Sequence, residues 1–197
     1  MTVNAPARPR SGTMDIDEFM AFIAPRPKEE RWQLIEGVAV MMAPPSVAHQ
    51  RIASNVCNLL NRAFEVQRRE LYAYQEIAVR VPGVTNFQPE PDVVVASASA
   101  SYELFVEDFH LIAEVLSPSN TRSEVDAKLR RYREAADNLY VLLIEPREFR
   151  VEIFAQSRGW QAVTLTRRDD PVDFPEFGLS CAVGDLYRGT PLAPQQK

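Results

Sequence analysis

Cysteine, histidine and glycine are all scarce in this chain. There are 2 Cys, 2 His and 7 Gly among 197 residues. Cys57 and Cys181 stand alone at no metal-ligand spacing, which argues against a zinc cluster or a disulfide framework and for a thiol-reducing cytoplasm. Two histidines, His49 and His110, are too few for a His-rich metal centre. No apolar run approaches the roughly 20 residues of a membrane span. Residues 1–12 lack the apolar stretch of a signal peptide and read as a disordered Pro/Arg tail. No GxSxG, GxGxxG or phosphate loop ending in GK[ST] is present, which removes the common hydrolase-elbow, dinucleotide and NTP readings. A surplus of positive charge is missing too. The net charge is -5, so nonspecific coating of nucleic acid is excluded and any nucleic-acid role requires a local patch.

What remains is the composition of one soluble α/β domain, 46% hydrophobic and 25% charged. Ile16, Phe19, Met20 and Ile23 recur at helical spacing over 14–24, with Thr13 as the expected cap. Residues 32–42 alternate as a β-hairpin about Gly37. Ile52, Val56, Leu59, Leu60, Ala63 and Phe64 form one stripe of a helix over 49–66. A strand is expected over 71–81, and strands buried on both faces at 93–95, 109–116 and 139–145. A helix over 122–136 separates the last two; Thr121 and Glu124 have capping-box spacing. Residues 97–108 read as a loop, VEIFAQ and WQAVTLT as a hairpin, and 171–190 as irregular chain anchored by Phe174, Phe177, Leu179, Leu186 and Tyr187. From residue 49 the order is helix, three strands, helix, strand: mixed α/β with a central sheet.

Three charged residues fall where charge is expensive. Glu114 lies inside the apolar run LIAEVL, where a carboxylate must be paired, protonated or metal-bound. It is either a strand-end acid in a salt bridge or a metal ligand. Asp92 opens the valine strand after Pro91, as an Asx turn or as a second ligand. Two carboxylates on neighbouring strands would make a hard-oxygen site suited to Mg²⁺ or Mn²⁺. Lys128 borders the apolar stripe of its helix, so it is either a surface lysine with a buried stem or a cation over the acid pair, orienting or deprotonating a water. His49, at a helix start, is a cap or faces the same cleft. Ser117 and Ser119 shape the strand-to-helix turn and have no triad partner. The basic run Arg122, Lys128, Arg130, Arg131, Arg133 is a solvated helix face or a phosphate contact.

The segments QLIEG (33–37), APPSVAHQRI (43–52), PEPDVVVA (89–96) and LIAEVLSPSNTRSEVDAKLRRY (111–132) together resemble the Uma-two family of restriction-endonuclease-type proteins, in the PD-(D/E)-x-K nuclease superfamily. The likeness spans about 14–190. It implies a restriction-endonuclease-like core over 13–190, a central mixed sheet flanked by helices, with an added N-terminal helix and hairpin. Asp92 matches the Asp of the PD motif and Glu114 the acid of the next strand. The usual lysine two residues on is replaced by Leu116, and Lys128 matches the lysine shifted to the following helix. Gln33 stands where the family's E-L-I-x-G pattern has Glu, with Glu36 three residues later.

The resemblance implies catalytic Asp92, Glu114 and Lys128, a Mg²⁺ or Mn²⁺ on Asp92 and Glu114, and an extension of the site at Gln33 and Glu36; the position of His49 at a helix start adds it as a further candidate. The implied activity is metal-dependent phosphodiester hydrolysis, with DNA as the expected partner and a homodimer as the assembly that would cut two strands. The alternative is a nuclease scaffold that has lost catalysis and serves as a nucleic-acid-binding or accessory protein, which the Gln at position 33 favours.

Overall fold

The computed structural model describes residues 13–97 and 102–193. The expected tail at 1–12 lies outside them, as do residues 98–101 of the 97–108 segment. The helices are α1 (Ile16–Ile23), α2 (Val47–Gln67), α3 (Arg122–Glu134) and a single turn, α4 (Val183–Leu186). The strands are β1 (Trp32–Ile35), β2 (Val38–Met41), β3 (Leu71–Gln75), β4 (Ala78–Val79), β5 (Val93–Ser97), β6 (Phe105–Val106), β7 (Phe109–Val115), β8 (Tyr140–Glu145), β9 (Arg150–Ala155), β10 (Ala162–Leu165), β11 (Pro171–Phe174) and β12 (Leu179–Ala182).

A six-stranded mixed sheet in the order β10-β9-β8-β7-β5-β3 forms the centre. All its ladders are antiparallel except β7 with β8. A parallel pair needs a long crossover, and α3 provides it. That helix therefore starts at the end of β7, just beyond Glu114, and returns across the sheet. The alternation of strand side chains divides the core in two. Val93, Val95, Leu111, Ala113 and Leu142 pack with Ile52, Val56, Leu60 and Phe64 of α2. Val94, Ile112, Val141 and Leu143 pack with Ala127, Leu129 and Tyr132 of α3. Fully burying an aliphatic or aromatic side chain of this size contributes about 1.5–3 kcal/mol, so the two faces hold both helices firmly.

The first hairpin is a separate two-stranded ribbon. Glu36 and Gly37 form its two-residue turn with φ of 49° and 76°, the combination a primed turn requires. Gly37 is needed for space as well, because a Cβ there would sit 2.7 Å from Thr13 Cα. The ribbon is tied to the segment before β5 by Leu34 N–H to Gln88 O (3.0 Å), Gln88 N–H to Leu34 O (2.8 Å) and Gly37 N–H to Asn86 O (2.8 Å). Phe19 of α1 packs with Leu34 and Ala39 on its outer side.

Several local expectations are corrected. Asp15, not Thr13, caps α1: its Oδ1 accepts from Glu18 N–H at 2.8 Å, and Glu18 Oε2 accepts from Asp15 N–H at 3.0 Å. The strand expected over 71–81 breaks at Glu76, whose φ of 56° turns the chain out of the ladder. The 97–108 segment contains β6, paired parallel to β4. The region 171–190 is ordered as a β11–β12 hairpin followed by α4. Its apolar anchors had too little periodicity to announce strands, but they close the α2 side of the core.

Candidate functional site

Register brings the two acids together. Val93 pairs with Ala113 across the antiparallel β5–β7 ladder. Asp92 immediately precedes that pair on one strand, and Glu114 immediately follows it on the other. Val115 N–H donates to Asp92 Oδ2 at 2.6 Å, which ties the start of β5 to the end of β7. The other oxygen, Oδ1, lies 2.7 Å from His49 Nε2. His49 reaches it from the first turn of α2, where Ser46 caps the helix by accepting from His49 N–H. Asp92 and His49 are both buried.

Glu114 projects from β7 toward α3. Lys128 Nζ donates to both its oxygens, at 3.1 and 3.2 Å, and Tyr132 O–H donates to Oε1 at 2.6 Å. Lys128 and Tyr132 are one helical turn apart, so they share the face that meets the strand. Lys128 is only 5% exposed. Its stem crosses the apolar face of α3 and its ammonium ends among acids. Burial pushes the Glu114 carboxyl above its usual range; the Lys128 ammonium opposes the rise and the Asp92 charge adds to it. Burial, followed by the adjoining Glu114 charge, pushes the Tyr132 hydroxyl well above the ordinary tyrosine range.

Gln33 projects from β1 onto the same floor. Its Nε2 donates to Glu124 Oε1 at 3.1 Å, and its buried Oε1 has no hydrogen-bond partner. These residues line a cleft of about 680 Å³, walled by Met41, Pro44 and Pro45 on one side and Pro146, Arg147 and Leu192 on another. Among the described residues its lining carries five carboxylates (Glu76, Glu90, Asp92, Glu114, Glu124) and three cationic side chains (Arg31, Lys128, Arg147). Arg31 bridges Glu76 at 2.9 Å and Glu90 at 2.6 Å.

Of the residues singled out from the sequence, Asp92, Glu114, Lys128, His49 and Gln33 share this cleft. Glu36 does not: its carboxylate is held by Arg131 Nε at 2.7 Å and by Arg130 at 3.5 Å. That pairing locks the hairpin turn to α3, and the Arg131 hydrogen bond holds the Glu36 carboxyl below its usual range. The rest of the basic run faces elsewhere. Arg122 is solvated beside Asp126, and Arg133 stacks over Phe154 at 4.7 Å. Ser117 and Ser119 bond to each other at 2.6 Å within the turn into α3.

Two residues that touch the site, Tyr132 beneath Glu114 and Glu124 on the cleft wall, escaped the sequence reading. Tyr132 was legible only as an apolar stripe position, although its spacing from Lys128 puts both on one face. Glu124 has the spacing of a capping box, but only half of the box forms. Thr121 Oγ1 accepts from Glu124 N–H at 3.2 Å, while the Glu124 carboxylate turns to Gln33 and Asn120.

The donor chemistry suits a hard divalent cation. The Asp92 carboxylate is bound to the backbone of Val115, the neighbour of Glu114, and the buried Gln33 amide oxygen lacks a donor. Each carboxylate oxygen has two lone-pair directions, so the bonds from His49, Val115, Lys128 and Tyr132 leave capacity for a metal. Among the described residues no three His, Cys, Asp or Glu side chains form a ready-made metal cluster. A third protein ligand would have to come from another group, and the Gln33 carbonyl is of the right class.

A search of curated proteins finds no match. Among solved structures, a protein described as "a putative nuclease belonging to DUF820", from Anabaena variabilis ATCC 29413, superposes with a TM-score of 0.73 at 20% sequence identity, covering 88% of this chain and 97% of that one. At that identity the likeness speaks for the fold alone. The family model Uma2, described as "Putative restriction endonuclease", matches residues 16–184 and so takes in both strand acids, Lys128 and the first hairpin. The chain belongs to the Uma2 family.

Proposed function

We propose that this protein is a divalent-cation-dependent nuclease hydrolysing the phosphodiester bonds of DNA. The observation that carries the reading is that the Val115 N–H holds the Asp92 carboxylate at the end of β7, beside Glu114, whose own carboxylate binds the Lys128 ammonium. Asp92 and Glu114 would hold Mg²⁺ or Mn²⁺. The cation would supply a Lewis acid that neutralises charge developing on the phosphoryl oxygens. His49 and the Val115 N–H fix the Asp92 carboxylate, and Tyr132 fixes Glu114, so neither acid has to reorganise. Lys128, anchored on Glu114 through two of its three N–H donors, has a third with which to hold an attacking water in line with the phosphorus. The cleft's surplus of carboxylates supports cation dependence, because a polyanion entering it alone meets net repulsion. Cutting both strands of a duplex calls for two such sites, which a homodimer would supply.

One observation favours a second reading, a scaffold that binds nucleic acid without cutting it. Every oxygen of the acid pair already has a protein donor, and Gln33 replaces an acid of the family pattern. Plasmid DNA incubated with Mg²⁺ or Mn²⁺ beside an Asp92→Ala control separates the two. The nuclease reading expects cation-dependent cleavage that Asp92→Ala loses. DNA retained on the protein but never cut would establish the scaffold reading instead, and cleavage equal in Asp92→Ala would refute this site.

A further inference from the structure

Gln33 leaves one fact unexplained. It is 4% exposed, its Nε2 is satisfied by Glu124, and its Oε1 is shielded from water without any donor. Buried polar atoms are almost always paired, so an orphaned oxygen on the wall of a functional cleft calls for a partner from outside the chain. The direction of the carboxamide is dictated by Glu124. Only an NH₂ group can face a carboxylate; the reversed amide would set two oxygens 3.1 Å apart. Among the described residues no cation pairs with Glu124. Its Oε1 receives only Gln33 and, more distantly, Asn120 Nδ2 at 3.5 Å. Asn120 is fixed in turn by the Ser117 N–H, which donates to its Oδ1 at 2.8 Å. The turn that follows Glu114 thus holds Glu124, and Glu124 holds Gln33.

We infer that Glu124 is a positioning residue: it sets the Gln33 carboxamide so that Oε1 is the third protein oxygen, with Asp92 and Glu114, for a divalent cation. The inference rests on the reading of the cleft as a cation site and adds to it a ligand and the residue that aims it. It also gives a physical reason for an amide at position 33. A carboxylate there would face Glu124 directly, so this pair of positions accommodates one acid and one amide. Exchanging the two should preserve the site, because the acid at position 33 would then be held by the NH₂ of an amide at 124 and would itself offer the oxygen.

The test is calorimetric titration of Mn²⁺ into the full chain without nucleic acid, with circular dichroism melts for each variant. The set is wild type, Asp92→Ala, Gln33→Leu, Glu124→Gln and the exchanged double variant Gln33→Glu/Glu124→Gln. Loss of an outer partner of a metal ligand usually costs 10–100-fold in affinity. Glu124→Gln should weaken Mn²⁺ by about 10-fold, Gln33→Leu, which deletes the ligand oxygen itself, by at least as much, and the exchange should restore wild-type affinity or better. A purely structural role for Glu124 would not give that rescue. Gln33→Met, close in length to Gln, repeats the measurement should Gln33→Leu not fold. Wild-type affinity in Gln33→Leu or Glu124→Gln, or an exchanged variant as weak as Glu124→Gln, overturns the inference. If wild type binds Mn²⁺ and Asp92→Ala does not, such a result leaves the two-acid site standing. If wild type binds no Mn²⁺, the cation-site reading itself falls, and this inference with it.

Discussion

Replacing Lys128 by Met removes the ammonium bound to Glu114 while keeping an unbranched stem of similar volume. Nζ lies 3.1 and 3.2 Å from the two oxygens, and the side chains are 7% and 12% exposed. At an effective dielectric constant near 20, one such contact corresponds to about 5 kcal/mol of attraction. The Tyr132 hydrogen bond survives the substitution, but the Asp92 charge remains, so Glu114 is left buried beside a like charge. Removing one partner of a buried pair typically costs about 3–5 kcal/mol, whereas replacing both by uncharged groups of similar size is close to neutral. Urea unfolding at neutral pH without added metal should therefore show Lys128→Met destabilised by about 3–5 kcal/mol. Lys128→Met/Glu114→Gln should recover most of that loss. In the nuclease assay Lys128→Met should be inactive while still binding Mn²⁺ at least as well as wild type, because a competing cation is gone. Lys128→Met as stable as wild type, or a double variant no more stable than the single, would refute the claim that these two charges compensate each other.

Three further outcomes follow from neighbouring contacts. Tyr132→Phe keeps the ring packing against Phe87 and Phe109 but deletes a 2.6 Å bond to a carboxylate; it should cost about 1.5–3 kcal/mol in urea unfolding, and a loss below about 0.5 kcal/mol would show the bond to be immaterial. His49→Ala should weaken Mn²⁺ binding about 10–100-fold by releasing Asp92, and His49→Gln, which can still reach Oδ1, should lose less; equal affinity in all three proteins would remove His49 from the site. Glu36 has its carboxyl held down by Arg131, so its stabilising contribution is full above the unfolded-state value and is lost as the pH falls through the lower folded-state value. Glu36→Gln should accordingly be less stable than wild type at pH 7, with the gap closing in acid denaturation below about pH 4; a gap that is independent of pH would contradict the ion pair.

The order of core elements was legible from residue 49 onward, because each element buries enough apolar surface to leave a period: four valine- or leucine-rich strands and two striped helices. The anomaly of Glu114 was legible too, since a lone acid in LIAEVL conflicts with its surroundings whatever the fold. The sequence could not say what resolves that conflict. Lys128 and Tyr132 are 14 and 18 residues away from Glu114 along the chain. They reach it only because a parallel β7–β8 pair forces α3 back across the sheet. Glu76 carried no sign of breaking its strand, since a positive φ at a non-glycine residue is stabilised there by tertiary contacts with Arg31 and Gln50. Gln33, at the position of the family's Glu, and Glu36, three residues on in the same hairpin, both stood as extensions of the site. The primed turn separates them: Gln33 lies on the strand facing the cleft, and Glu36, rotated into the left-handed region, meets Arg131 on the flank of α3. Glu124 had the spacing of a cap, a local pattern that its backbone N–H obeys. Its carboxylate is claimed by a residue 91 positions earlier. Local periodicity and burial cost are properties of short segments, so the sequence determined which elements form and which charge is out of place. The identity of each charge's partner depends on register and crossover, which only the assembled sheet decides.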